Sequence, residues 1–151
     1  PAWFSSLTLM FQKEVAERLV AKPGGKAYGR LSVLAQYRAE VKIAFEVSPQ
    51  AFVPPPKVTS AVVHLTPKAD LPSRPAISAL ERVTAAAFGQ RRKMLRSSLK
   101  SLLADPSSLL RAAAIEPTAR AEELTVADFT RLAVAWEDHR AGVATAAVPL
   151  Q

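Results

Sequence analysis

Cysteine is absent, so disulfides and thiolate metal sites are excluded. His64 and His139 stand far apart, and neither falls into metal-ligand spacing. Glycine is sparse, with 5 in 151 residues. No glycine-rich strand–loop–helix segment of the kind that cradles phosphate occurs. Gly24-Gly25 does not qualify, because it follows a helical pattern with no strand feeding it. Spacing points to no nucleophile–histidine–acid set and no pair of carboxylates. No apolar run is long enough to span a membrane and no signal-peptide pattern is visible, which reads as a soluble, cytoplasmic protein.

The chain carries a hydrophobic content of 49% and a net charge of +7. The first is enough for a real core in one domain or two small ones; the second favours an anionic partner, nucleic acid above all. The chain starts at Pro1 without a methionine and runs almost at once into a strand pattern, which reads as a piece of a longer protein.

The stretch that organises the rest is Phe52-Val53-Pro54-Pro55-Pro56-Lys57-Val58-Thr59-Ser60. Each proline fixes its own φ, lacks an N–H and disfavours helix at the residue before it. The segment is therefore stiff and extended, with an aromatic residue at its head. That ring either plugs the core or serves as an exposed stacking platform.

Around this stretch the periodicity changes. Ser6–Phe11 reads as a strand buried on both faces, and residues 12–21 as a helix with Val15, Leu19 and Val20 inward and a Glu14–Arg18 pair. Arg30–Tyr37 reads as a short helix with Leu31, Leu34 and Ala35 inward. Val41, Ile43, Phe45 and Val47 alternate with polar or small residues, as in a half-buried edge strand. Val58–Thr66 is apolar on both faces and belongs inside a sheet, with His64 as a structural hydrogen-bonder. Lys68–Pro75 reads as a linker.

Beyond the linker the pattern is helical throughout. Pro75 suits the first turn of a helix that turns Ile77, Leu80, Val83 and Ala87 inward and is interrupted at Gly89. A second helix is expected over Arg92–Leu103, and a third opens at Asp105-Pro106 and ends near Ala114. Another short one starts at Glu116-Pro117. Thr125 and Asp128 form a loose capping box for a last helix through Phe129, Leu132, Ala133 and Trp136, with Gly142 as its stop and a frayed tail from Val143.

The basic cluster is Gln90, Arg91, Arg92, Lys93, Arg96 and Lys100. On a continuous helix Arg92, Arg96 and Lys100 would form one stripe beside Leu95, Leu99 and Leu102. Such a stripe is either a solvated face or a surface for RNA phosphates.

Four stretches carry a resemblance. They are Leu9–Leu19; Tyr28-Gly29-Arg30-Leu31-Ser32-Val33; Phe52, Pro54, Pro56, Val58 and Ser60 at alternate positions; and Phe88-Gly89-Gln90-Arg91-Arg92-Lys93-Met94-Leu95-Arg96. In this order they resemble motifs of the RNA adenine N6-dimethyltransferases, and the last favours the small-subunit rRNA enzymes over the erythromycin-resistance enzymes. The resemblance implies an α/β remnant, the last three strands of a Rossmann-like methyltransferase sheet in residues 1–68. A small all-helical RNA-binding domain would follow in residues 69–151. It implies that Phe52 stacks on a flipped-out adenine with Pro54 and Pro56 holding the ring, while the basic cluster meets small-subunit rRNA.

The family's cofactor is S-adenosylmethionine, held by a glycine-rich loop and acidic residues, and its Asn-Leu-Pro-Tyr-type motif holds the adenine amino group. Neither occurs here, so no cofactor is expected on this chain and the chain alone is expected to be inactive. The competing readings are a non-catalytic rRNA-binding module and a resistance-type large-subunit methyltransferase. A three-strand remnant would also expose an unpaired edge and an apolar face, so a dimer through that edge is expected.

Overall fold

The structure, a computed structural model, describes residues 4–146, with side chains as far as Gly142. The chain divides into two compact units, Pro1–Leu71 and Pro72–Gln151.

The first unit is built on a three-stranded antiparallel sheet. Its elements in chain order are β1 (Leu7–Gln12), α1 (Lys13–Val20), α2 (Arg30–Arg38), β2 (Ala39–Val47) and β3 (Ser60–Pro67). The strand order is β1-β3-β2, so β3 is central, as its two apolar faces require. Leu9, Val63 and Ile43 lie in one row across the sheet, and Met10, Val62 and Phe45 in the next. The first row faces the helices, where Ala16 and Leu19 of α1 pack on Ala61 and Val63 with Phe11, Val41, Ile43 and Leu65 around them.

Ala44 is an extra residue in β2, because Ile43 pairs with Val63 while Phe45 pairs with Val62. The simple alternation expected of this strand therefore breaks. Phe45 turns to the open side of the sheet, where it is 58% exposed, and Glu46 comes to the helix side. There Lys13 meets Glu46 at 3.1 Å, and this carboxylate raises the Lys13 pKa through a hydrogen bond and its charge.

Two expectations for this unit are corrected. β1 is not buried on both faces: it is an edge strand, with Leu9 43% and Met10 52% exposed. In α2 Ala35 packs on the core cluster as expected and Leu34 is half-buried, but the fully inward residues are Ser32, Val33 and Tyr37, while Leu31 is exposed. The reason is polar. The last carbonyls of α1 have no partners within their own helix, and α2 supplies them. Ser32 Oγ donates to Arg18 O at 2.5 Å, and Gln36 Nε2 donates to Leu19 O at 2.9 Å and Ala21 O at 2.8 Å. The expected Glu14–Arg18 pair is present at 2.6 Å. His64 takes a structural hydrogen-bonding role, with its Nδ1 2.9 Å from Thr8 Oγ1 across the β1–β3 pairing.

The second unit contains α3 (Ile77–Gly89), α4 (Leu95–Ser98), α5 (Ser107–Ala112) and α6 (Val126–Ala146), with short 3₁₀ turns at Leu99–Ser101 and Ala121–Glu123. Leu80, Val83 and Ala87 of α3 are fully buried, as are Phe129, Leu132 and Ala133 of α6. Phe88 stacks on Phe129 with ring centroids 5.4 Å apart. Pro75 stands before α3 rather than in its first turn, and its segment is tied to α6 through Arg74, which pairs with Glu137 at 2.9 Å and Asp138 at 2.7 Å.

α5 starts one residue later than expected: Pro106 is its cap and Ser107 its first residue, while the Asp105 carboxylate, just ahead of the cap, accepts from Ser107 N at 3.0 Å and Ser107 Oγ at 2.6 Å. No helix starts at Glu116-Pro117; the chain turns there and forms only the 3₁₀ turn at Ala121–Glu123. Gly142 does not stop α6, which continues to Ala146. The rest of the tail, from Ala147, lies outside the described residues.

The Thr125–Asp128 box is formed. Thr125 N donates to Asp128 Oδ2 at 2.8 Å, and Asp128 N donates to Thr125 Oγ1 at 3.1 Å. Thr125→Ala should lower the unfolding free energy of this unit by about 1 kcal/mol in urea titration, and an unchanged midpoint would mean that the box does not stabilise the helix. Burial works to raise the Asp128 pKa, but hydrogen bonds from Thr125 and Arg131 outweigh it and hold the carboxyl below the usual range. Its stabilisation is therefore complete above the unfolded-chain value of about 3.9 and disappears as pH falls through the lower folded value. Asp128→Asn should flatten the acid limb of the stability curve; an identical limb would contradict this.

Candidate nucleic-acid interface

The Phe52 loop is set by β2 and β3. After Val47 the chain makes a 3₁₀ turn over Pro49–Ala51, in which Ala51 N donates to Ser48 O at 3.0 Å and Phe52 N donates to Pro49 O at 3.2 Å. Proline at the head of that turn supplies its fixed φ. On the return side, Lys13 N donates to Thr59 O at 2.9 Å, which ties the end of the loop to the start of α1. Between these two anchors Pro54, Pro55, Pro56 and Lys57 are exposed and Val53 is 100% exposed. Phe52 is half-buried and does not belong to the hydrophobic cluster under the sheet. The ring is neither sealed in the core nor fully free.

The basic segment differs from its expected form. No helix runs over Arg92–Leu103. Residues 90–93 make a turn closed by Lys93 N donating to Gln90 O at 2.8 Å, Met94 is extended, and α4 covers only Leu95–Ser98. Arg92, Arg96 and Lys100 therefore do not form one helical stripe: Arg92 lies in the turn, Arg96 in α4 and Lys100 in the 3₁₀ turn behind it. The cause is a competing set of backbone partners. Met94 makes an antiparallel bridge to Arg120, Leu95 N donates to Ala119 O at 2.8 Å, and Arg96 N donates to Pro117 O at 3.1 Å. The expected apolar residues still point inward, with Leu95 and Leu99 fully buried.

Gln90, Arg92, Lys93, Arg96 and Lys100 are exposed, and Arg91 is half-buried, its Nε donating to Glu122 Oε2 at 3.0 Å. Among the described residues no carboxylate is in ion-pair contact with Arg92, Lys93, Arg96 or Lys100. The bridge also brings in a cation that sequence spacing does not reveal. Directly opposed residues of an antiparallel pair point to the same side, so exposed Arg120 shares the outward side of exposed Met94 while Leu95 points in. Only knowledge of that pairing could have found it. Phe52 and the basic segment belong to different units. Among the described residues no cluster of side chains could hold a metal ion, and no helix is long and apolar enough to cross a membrane.

The family model for ribosomal RNA adenine dimethylases matches residues 3–138. The chain belongs to this family. Among its relatives, the ribosomal RNA small subunit methyltransferase A of Xanthobacter autotrophicus is 64% identical over 147 residues, covering 97% of this chain and 51% of the relative. That of Azorhizobium caulinodans is 63% identical over 142 residues, covering 94% of this chain and 48% of the relative. The chain thus spans about half the length of these dimethylase relatives. A crystal structure of a dimethyladenosine transferase from Plasmodium falciparum superposes with TM-score 0.76 at 25% identity, covering 92% of this chain and 58% of that one. The 23S rRNA methyltransferase ErmE shares the fold, with TM-score 0.59 at 21% identity over 88% of this chain and 55% of its own.

If the exposed cations of this segment meet nucleic-acid phosphates, reversing charge at Arg92 and Arg96 should weaken binding to an RNA hairpin. It should also flatten the slope of log affinity against log salt by about 0.7–0.9 for each phosphate no longer neutralised. A slope equal to that of the unaltered protein would mean that phosphates do not meet this surface.

Proposed function

We propose that this chain is part of an rRNA adenine N6-dimethyltransferase that transfers methyl groups from S-adenosylmethionine to adjacent adenines in small-subunit rRNA. The small-subunit assignment leans on the names of the relatives at 64% and 63% identity. The resistance-type reading has only the fold-level likeness to ErmE behind it. In this proposal residues 1–68 are the last three strands of a Rossmann-like methyltransferase sheet, and residues 69–151 are a helical RNA-binding domain. The enzyme works in the cytoplasm on immature small ribosomal subunits.

The residues present do not fit S-adenosylmethionine. A recess of about 620 Å³ in the first unit is lined by Phe4, Leu7, Leu34, Arg38 and Leu65 among others and by no carboxylate that could hold a ribose. The loop with Gly24, Gly25 and Gly29 that opens α2 follows helix α1 and no strand, unlike the strand-fed loop that cradles a dinucleotide. We therefore assign the cofactor to parts of the enzyme outside it, and this chain's contribution to the target base and the RNA.

The observation that carries the reading is Phe52: an aromatic ring outside the hydrophobic cluster, half-buried, at the head of an exposed run of prolines. A base must leave its stack before its amino group can be methylated, and an aromatic face recovers part of the lost stacking. Pro54 and Pro56 limit the conformations of the loop, so little entropy is lost when the base arrives. Gln90, Arg91, Arg92, Lys93, Arg96 and Lys100 make up the RNA-facing segment, with Arg120 beside it. The open sheet face with Met10, Val62 and Phe45 supports contact with a partner, a second copy of the chain included.

Base–aromatic stacking is worth about 1–3 kcal/mol. In the intact enzyme Phe52→Ala should therefore lower kcat by about ten- to a hundredfold while RNA affinity changes far less. Unchanged turnover would remove Phe52 from the base site.

A further inference from the structure

A carboxylate in the middle of a phosphate-binding surface is out of place on electrostatic grounds, yet Glu122 lies against the basic turn and pairs with Arg91 at 3.0 Å. Gln90, Arg92 and Lys93 are exposed, and the turn's own backbone bond runs from Lys93 N to Gln90 O. Arg91 is its half-buried member, with 37% of the side chain exposed against 33% for Glu122. Glu122 in turn sits on a well-anchored element. The 3₁₀ turn Ala121–Glu123 begins with fully buried Ala121, is followed by Leu124, 4% exposed, and is closed by Arg120 N donating to Glu123 Oε2 at 2.7 Å. Just past the turn, the Met94–Arg120 bridge and the bond from Leu95 N to Ala119 O fix the chain from the other side. The basic turn is thus clamped at both ends to residues 119–122, once through backbone and once through the ion pair.

We propose that Arg91 and Glu122 are a positioning pair, and that their ion pair holds the Gln90–Lys93 turn in the form that presents Arg92 and Lys93 to phosphate. The inference rests on the RNA-binding reading of this segment and divides its labour. Arg91 faces the protein and acts through the turn, while Arg92, Lys93 and Arg96 meet the RNA. Two physical arguments give opposite signs for loss of Glu122. Point-charge reasoning says that removing an anion from a basic surface tightens binding to a polyanion. Positioning says that binding weakens, because the freed turn must be ordered again when RNA arrives. A half-exposed ion pair adds little to global stability, so the melting temperature should hardly move while affinity does.

The test uses the intact methyltransferase and a small-subunit rRNA hairpin with two adjacent adenines, titrated at several salt concentrations. Glu122→Gln should bind about two- to fivefold more weakly, with the salt slope unchanged, since the same phosphates are still neutralised. The reciprocal pair Arg91→Glu with Glu122→Arg keeps the local net charge and should recover most of the affinity. Should Glu122→Gln lower the melting temperature, the reciprocal pair, compared at equal folded fraction, decides the matter. Tighter or unchanged binding by Glu122→Gln, or no recovery by the reciprocal pair, overturns the inference. If charge reversal at Arg92 and Arg96 also leaves binding intact, it is the RNA-binding reading that has failed.

Discussion

Backbone amides and carbonyls that leave water must find partners within the protein, and in both units that requirement overrides what side-chain periodicity alone would choose. In the first unit β3 bonds on both sides, to β1 and β2. The end of α1 is finished not by its own chain but by Ser32 and Gln36 of α2. In the second unit the same demand appears at residues 94–96, whose backbone bonds to Pro117, Ala119 and Arg120. The basic segment owes its broken shape to that seam. Its cations are spread over a turn, one helical turn and a 3₁₀ turn rather than along one stripe.

The two units present different chemistry. The first offers an aromatic ring, a rigid proline run and an open sheet face; among the described residues of that unit, α1 and α2 cover only the other face. The second offers cations on a segment whose inward side is sealed by Leu95 and Leu99. In the proposed reading the first meets a base, whose faces are apolar, and the second meets the sugar–phosphate backbone, whose charge is spread along its length.

Much of this was legible from residues alone. Val58–Thr66 shows apolar residues on both faces, which belongs to a central strand, and the Thr125–Asp128 cap announces itself by residue type and spacing. What could not be read has a common cause: partners distant in sequence. Leu31 fits an apolar helical stripe as well as Val33 does, and only the exposed carbonyls of α1 decide which face turns in. Arg92–Leu103 satisfies every local rule for a helix, and the competing acceptors near residues 117–119 leave no mark on that stretch. β1 reads as buried because its residues are apolar, whereas burial depends on neighbours that an edge strand lacks. At the candidate site the same division holds. Phe52 and the basic run stand out in the sequence, but Glu122 and Arg120 gain their meaning only from proximity.

The additional residue in β2 has a consequence for the loop that follows. Side chains along a strand alternate with a period of two, so Ala44 shifts the phase of everything between itself and the next turn. The chain leaves the strand rotated by half a cycle from the orientation that uninterrupted alternation would give. Val47, the last residue of β2, therefore stands opposite Ser60 on the same side as Phe45, and it is in that phase that the chain enters the Pro49–Ala51 turn.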